Sequence, residues 1–228
     1  MTGTESLPLF PLGTVLMPGA PLPLHIFEPR YRQLTVDLVT GAVPGKEFGV
    51  VAVREGFDPD REGIDALAPI GCTALLKDVR RLPDGRYDVV TVGARRFRLT
   101  ELDEGSHPYL CGTVEYLPDE GEAPAADDLT RMLAASARAA HKAYCAAAWR
   151  TDDWSEPALT VAPAELPHLL AADCLLPLAD RQALLEQTSP LERLRMIRMF
   201  LAREAGLLGT LRAVPTPMST YAQPSSPN

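Results

Sequence analysis

The pattern of hydrophobic and polar residues changes near residue 120. Before that point apolar residues occur in short runs of the kind that form β-strands, whereas after it they recur about every 3.6 residues, as on one face of a helix. The candidate strands are residues 47–54, 72–81, 86–92, 96–102 and 109–117. Many short strands spaced about ten residues apart are typical of a β-barrel or a β-sandwich. We therefore expect an α+β protein whose β-rich part comes first.

Two local signals add detail to the β-rich part. The sequence Pro83, Asp84, Gly85 separates two candidate strands, and its fixed φ and its glycine predict a tight hairpin turn. One helix is predicted near residues 29–40, because proline at position 29 suits a first helical turn and glycine at position 41 suits a helix end. The apolar face of that helix would carry Tyr31, Leu34 and Leu38.

The second part of the chain predicts a helical bundle. Residues 119–126 are acidic and contain glycine and proline, which indicates a linker, and Asp127 after them can cap a long helix. Two shorter helices are expected around 166–175 and 178–187. The apolar positions of the long helix are Leu129, Met132, Leu133, Ala140 and Tyr144.

A capping box predicts the start of the last helix. Ser189 and Glu192 stand three residues apart, and the proline between them suits the first helical position. We expect this helix to end at Gly206 or Gly209. Its apolar face would carry Leu191, Leu194, Ile197, Leu201 and Leu208.

Prolines interrupt the apolar segments of the first thirty residues. Because proline cannot donate to a central β-ladder, these segments are expected to be extended edge pieces with fixed bends that wrap a barrel rim and then enter the helix at Pro29. The segments are residues 7–12, 14–19 and 22–32.

This opening resembles the N-terminal domain of Lon proteases. The similarity continues in residues 84–93 with Arg96 and Phe97, and in the strand that Pro108 and Tyr109 open toward Val114 and Glu115. Weaker matches in the helical part are residues 176–178, 181–186, 193–194 and Glu204, so the resemblance covers about residues 6 to 209. One departure is Leu166, Pro167 and His168, where the family usually places a leucine-serine-aromatic helix start.

The resemblance implies a PUA-like β pseudo-barrel followed by a small α-helical bundle. We assign residues 1–120 to the barrel subdomain and residues 125–212 to the helical subdomain. Residues 213–228, rich in proline, serine and threonine, are expected to be a disordered tail.

The resemblance also implies a non-catalytic module that binds exposed apolar segments of unfolded or partly folded client proteins. Recognition would use apolar anchors in a groove, with strand addition at a barrel edge as a further contribution. The candidate peptide-binding residues are Leu12, Met17, Leu24, Phe27 and Tyr31, each of which could instead belong to the core.

Three alternatives stay open. The chain could be an adaptor that docks to a separate ATP-dependent AAA+ protease or chaperone. It could bind RNA, as PUA-like folds often do. It could be an enzyme that uses His25 and Glu28 as an acid–base couple, although a structural histidine near the helix start is the favoured interpretation.

The charge of the chain weighs against nucleic acid. The formal net charge is −8, whereas binding to a phosphate backbone needs a basic face. The one arginine cluster, Arg95–Arg98, is more simply explained as outward side chains that flank a strand. A nucleic-acid partner is therefore not expected.

Residue spacings exclude several kinds of chemistry. The 4 cysteines lie far apart with no Cys-x-x-Cys pair, so we expect buried free thiols and no metal site. No phosphate-binding Gly-rich loop, nucleophile elbow or Ser-Lys arrangement occurs, so no cofactor and no catalytic residue are predicted. No signal peptide and no apolar run of about 18 residues is present, which makes the cytoplasm the default expectation.

Overall fold

The computed structural model describes residues 4–58, 62–103, 105–120, 128–148 and 154–211. Its strands are β1 (Thr4–Leu12), β2 (Pro21–Ile26), β3 (Glu47–Ala52), β4 (Ile70–Arg81), β5 (Tyr87–Asp103) and β6 (Cys111–Tyr116). Its helices are α1 (Pro29–Thr40), α2 (Asp128–Ala148), α3 (Leu166–Ala172), α4 (Leu178–Glu186) and α5 (Pro190–Leu211). Short 3₁₀ turns occupy Pro44–Lys46 and Gly63–Ala66.

The sheet closes on itself through its longest strand. The order is β2-β5-β4-β3-β1-β6, and β5 also pairs with β6, so five strands form a ring and β2 lies outside it. The first half of β5 pairs with β2 and β4, and its last residues pair with β6. Among the described strands, β1 and β3 alone pair in parallel. The expected α+β fold with a β pseudo-barrel is therefore confirmed.

Apolar side chains fill the interior of the ring. The Phe97 ring is fully buried there, packed with aliphatic side chains from several strands. Gly49 makes room for it, because a Cβ atom at that position would lie 2.7 Å from the Phe97 Cζ atom. The other buried members are Leu7, Leu9, Val51, Leu67, Leu99 and Val114.

Helix α1 covers the outer face of the sheet. It begins at Pro29 and ends at Gly41, whose φ of 83° is the left-handed conformation that the sequence predicts for this helix end. The Tyr31 ring stacks on Phe10 of β1 with centroids 3.9 Å apart. Leu34 and Leu38 are buried beside it, so α1 is held by the apolar stripe read from the sequence.

The helical part packs around its two long helices, α2 and α5. Ala137, Tyr144 and Cys145 of α2 are buried in the same core as Leu194 and Ile197 of α5. The shorter helices α3 and α4 lie within the predicted ranges, and α3 forms at Leu166–Ala172 despite the altered residues at its start. The subdomain boundaries stay a prediction, and Asp127 and residues 212–228 lie outside the described residues.

The predicted end of α5 is wrong. The helix continues through Gly206 and Gly209 to Leu211. Glycine inside a helix costs only about 1 kcal/mol and stops a helix only where the chain turns left-handed. Ala205 and Leu208 still pack against the core at this level, and the Thr210 hydroxyl donates to the Gly206 carbonyl, so the last turns remain helical.

Candidate functional site

An open groove of about 270 Å³ lies between α1 and the outer end of β4. The last turns of α1 form one wall, and β4 with the start of β5 forms the other. The lining residues are Thr35, Val36, Val39, Thr40, Val79, Arg81 and Tyr87. Two distant parts of the chain therefore meet here to make a concave surface.

The groove is apolar and partly open to solvent. Val36 and Val39 are 37% and 53% exposed, on the side of α1 that turns away from its buried stripe. Across the groove, Val79 and Tyr87 are half-buried. Exposed apolar side chains that gather in a concavity are what a binding site for another apolar group requires.

One cation stands at the end of this groove. Arg81 is exposed and forms no ion pair with a carboxylate in the described part of the chain. The neighbouring Arg80 faces the opposite side of the sheet and pairs with Asp88 at 2.5 Å. The Arg81 guanidinium is thus available to a negative group next to the apolar walls.

The structure separates the five residues that the sequence nominated for peptide binding. Met17 and Tyr31 are buried in the core, and Leu12 and Leu24 are half-buried against it. Phe27 is 43% exposed. None of the five lines the groove, and their role in binding remains a prediction.

Sequence reasoning missed the groove residues. On α1 the signal was present, because Val36 and Val39 are apolar residues three apart that lie off the stripe of Tyr31, Leu34 and Leu38. A second apolar stripe on a short helix indicates a second contact surface. The residues of the opposite wall, on β4 and β5, could not be predicted in this way, because the sequence of a strand end does not indicate which helix packs against it.

The structure does not assemble His25 and Glu28 into an acid–base couple. His25 Nδ1 lies 2.8 Å from Oδ1 of Asp88, its register partner across the β2–β5 ladder, while Glu28 accepts a hydrogen bond from Arg30. Hydrogen bonds from Arg80 and then His25 hold the pKa of Asp88 below its usual value. The structural interpretation of His25 therefore fits better than the enzymatic one.

The Arg95–Arg98 cluster is not a free basic patch. Arg95 donates to Glu47 at 2.7 Å and to the Tyr116 hydroxyl at 2.9 Å, and its guanidinium lies over the Tyr116 ring. Arg96 is buried and Phe97 lies inside the barrel. The Arg98 side chain is exposed. The expectation of outward arginines is therefore wrong for Arg96.

Arg96 instead belongs to a buried junction between the barrel and the helices. Asp119, placed in the predicted linker, accepts a hydrogen bond of 2.5 Å from Arg96 of β5 and a two-pronged pair of 2.6 and 2.5 Å from Arg193 of α5. Arg96 also donates to the carbonyls of Leu185 and Gln187 at 2.9 and 2.8 Å. One carboxylate thus fastens the sheet to the last helix.

The pKa values of Asp119 and His168 are both lowered at this junction. Burial alone would raise the pKa of Asp119, but the hydrogen bond and charge of Arg193, with the charge of Arg96, hold that pKa below its usual value. Burial, with the charges of the same two arginines, lowers the pKa of the neighbouring His168 to about 3. Asp119 is therefore charged and His168 neutral near neutral pH.

Other predicted features can be checked only within the described residues. All four cysteines there are free and buried, as expected. The described ranges contain no group of three or more potential metal ligands. Among their helices, none has the length and apolar content needed to cross a bilayer.

A five-stranded ring with an added edge strand, followed by a helical bundle, defines the structural class. Within that class the chain belongs to the ATP-dependent protease La (LON) substrate-binding domain family, whose model matches residues 6–203. The resemblance read from the proline-rich opening is thereby confirmed.

Full-length relatives and solved structures agree with this assignment. The chain is 30% identical over 221 residues to Lon protease of Roseiflexus castenholzii, covering 94% of this chain and 26% of that protein. It is 28% identical over 212 residues to Lon protease of Escherichia coli, covering 89% of this chain and 25% of the relative. The chain therefore spans about a quarter of these two proteases.

Two solved structures share the fold. The Lon N-terminal domain protein from Xanthomonas campestris matches with a TM-score of 0.62 and 24% identity over 92% of this chain and 99% of that one. The N-terminal domain of Mycobacterium avium complex Lon protease matches with a TM-score of 0.62 and 20% identity over 87% and 98%. At these identities the likeness describes the fold alone.

Proposed function

We propose that this chain is a non-catalytic substrate-recognition module that binds exposed apolar segments of client proteins in the groove between α1 and β4. The observation that carries the proposal is the placement of Val36 and Val39 opposite Val79 and Tyr87, with apolar surface left open on both walls. Membership of a substrate-binding domain family supports the same function.

The size of the groove fits a few side chains of an unfolded segment. Burial of apolar surface contributes about 25 cal/mol per Å², so a client valine or leucine that enters the groove contributes about 1.5–3 kcal/mol. Two or three such anchors contribute about 3–9 kcal/mol before the cost of ordering the client is subtracted, so we expect weak binding with dissociation constants on the order of 100 μM. Weak binding of this kind suits a module that must engage and release many clients.

The first test is a fluorescence-anisotropy titration with a labelled, chemically unfolded client protein. Val39→Asp places a charge on the exposed wall of the groove, and we expect it to weaken binding about tenfold, which corresponds to about 1.4 kcal/mol. The matched control is Val90→Asp, because Val90 is a comparably exposed valine, 44% against 53%, on the opposite face of the sheet.

Two results would reject the proposal. One is the absence of saturable binding by the unsubstituted protein at high micromolar concentration. The other is equal weakening by Val39→Asp and Val90→Asp when both variants keep the circular dichroism spectrum of the parent, since the groove would then have no special part in binding.

A further inference from the structure

The outer end of β4 is an open sheet edge beside the groove. β3 pairs with β4 only from Cys72 to Leu75, whereas β4 continues to Arg81. On the other side, β5 accompanies β4 to its end. Among the described residues, no strand covers the outer edge of β4 beyond Leu75.

The register shows which backbone groups this edge presents. The Leu82 N–H donates to the Arg86 carbonyl across the hairpin at 2.8 Å. Because successive residues of an antiparallel strand alternate in direction, the N–H and C=O groups of Arg80 point toward β5, and those of Val79 and Arg81 point outward. No described group forms a hydrogen bond with these outward groups. Val79 and Arg81 therefore offer both backbone bonds and groove-lining side chains.

The second open edge of the sheet, on β2, is blocked. By the same alternation along β5, Leu22, Leu24 and Ile26 direct their backbone groups inward, and residues 21, 23 and 25 direct theirs outward. Two of those outward positions are Pro21 and Pro23, which have no N–H to donate. Prolines protect an edge against unwanted pairing, and β4 beyond Leu75 has none.

We infer that an extended client segment adds as a strand to the outer edge of β4 at Val79 and Arg81. This inference rests on the proposed function and specifies its mode. The segment would be apolar at every second position, so that alternate side chains enter the groove, with an acidic residue near the unpaired Arg81 guanidinium. Main-chain hydrogen bonds would supply affinity that is independent of client sequence.

The decisive measurement is amide hydrogen exchange by NMR, with and without a saturating extended peptide of alternating valine and polar residues that contains one glutamate. We expect the amide protons of Val79 and Arg81 to exchange at least about tenfold more slowly in the complex, since new hydrogen bonds protect them. The His25 amide is the matched control, because it also points outward but lies on the proline-blocked edge.

The outcomes separate the inference from the proposed function. A peptide that binds saturably but leaves exchange at Val79 and Arg81 unchanged would overturn strand addition and leave client binding intact. A peptide and an unfolded client that both fail to bind would reject the proposed function itself.

A second experiment compares Val79→Pro with Val79→Ala. Both variants lose the valine side chain, but only proline loses the outward donor, and the inward ladder to β5 is preserved in each. For variants whose thermal unfolding shows an intact fold, we expect the proline variant to bind the peptide at least about tenfold more weakly than the alanine variant. Equal affinities would contradict the inference.

Discussion

The ring of Phe97 lies against Gly71 so closely that a Cβ atom at position 71 would be 2.5 Å from the Phe97 Cζ atom. The same Cβ atom would also be 2.5 Å from the carbonyl oxygen of Val50 in β3. Both neighbours are buried, and one is backbone, so neither can move aside easily. The barrel interior therefore has room for the Phe97 ring only because residue 71 has no side chain.

Substitution of Gly71 by alanine should destabilise the fold. Overpacking of a close-packed interior costs about 1–3 kcal/mol, and contact with backbone places this site at the upper end. The free energy of unfolding in urea would measure the loss. Gly13→Ala is the control, because a Cβ atom there meets nothing within 4 Å, and it should change stability by less than about 0.5 kcal/mol. Equal effects at the two positions would contradict the packing explanation.

Loss of the charge on Asp119 should weaken the junction between barrel and helices. Asp119→Asn leaves Arg96 and Arg193 without their shared counter-ion. Removing one partner of a buried pair costs about 3–5 kcal/mol, and we expect about 2 kcal/mol here because the Asp119 side chain is 34% exposed.

Chemical denaturation would measure the effect at Asp119. The matched control is Asp84→Asn, which removes an exposed pair with Arg86. A control variant as unstable as Asp119→Asn would show that the buried geometry is unimportant.

Acid should destabilise the protein before its carboxylates titrate. His168 has a folded-state pKa of about 3, against 6.5 for an ordinary histidine, so the unfolded chain binds the proton first. The contribution of neutral His168 to the free energy of unfolding is therefore complete above about pH 6.5. It falls as the pH decreases, by up to about 1.4 kcal/mol per pH unit. The lowered pKa of Asp119 acts in the same direction at lower pH, below its ordinary value of 3.8.

The contribution of His168 can be isolated by substitution. His168→Gln should show a shallower fall in unfolding free energy between about pH 6.5 and pH 4 than the parent protein. His141, whose pKa is also lowered by burial, should maintain part of the slope. Identical pH profiles for the parent and His168→Gln would contradict the assignment.

Arg181 should be as important to stability as the junction arginines. Its guanidinium donates to the carbonyls of Ala171 and Cys174 at 3.0 and 3.1 Å, and across to Val15 at 3.1 Å. Arg181→Ala would leave three backbone acceptors without this donor, and we expect a loss of about 3 kcal/mol. Thermal unfolding beside Arg195→Ala, at an exposed site, would test this, and similar melting temperatures would count against it.

The local elements of this fold follow from local chemistry in the sequence. Pro29 and Gly41 mark the ends of α1, and Gly85, with φ of 81°, serves the hairpin turn as its sequence predicts. By contrast, residues 86–92 and 96–102 suggested two strands, whereas β5 is continuous. Gly93 lies where the two predicted strands join. A Cβ atom at Gly93 would be 2.1 Å from the Met17 carbonyl oxygen, so glycine is needed there by a contact with a distant segment.

The site was less predictable for the same reason. The valines of α1 and the end of β4 are about forty residues apart, and their meeting depends on how the ring closes. Likewise, the sequence gives no sign that Asp119 lies between Arg96 and Arg193, because an acidic residue near a proline and a glycine is typical of a solvated linker. Contacts between distant elements have no local signature.

The position of β1 has a consequence for synthesis on the ribosome. Of the described strands of the ring, β1 is made before the others, yet it lies between β3 and β6, and its antiparallel neighbour ends at Tyr116. A nascent chain therefore carries an unpaired, apolar edge on β1 until about a hundred residues that follow β1 have emerged. Chaperone capture of truncated nascent chains should accordingly drop once β6 has left the exit tunnel.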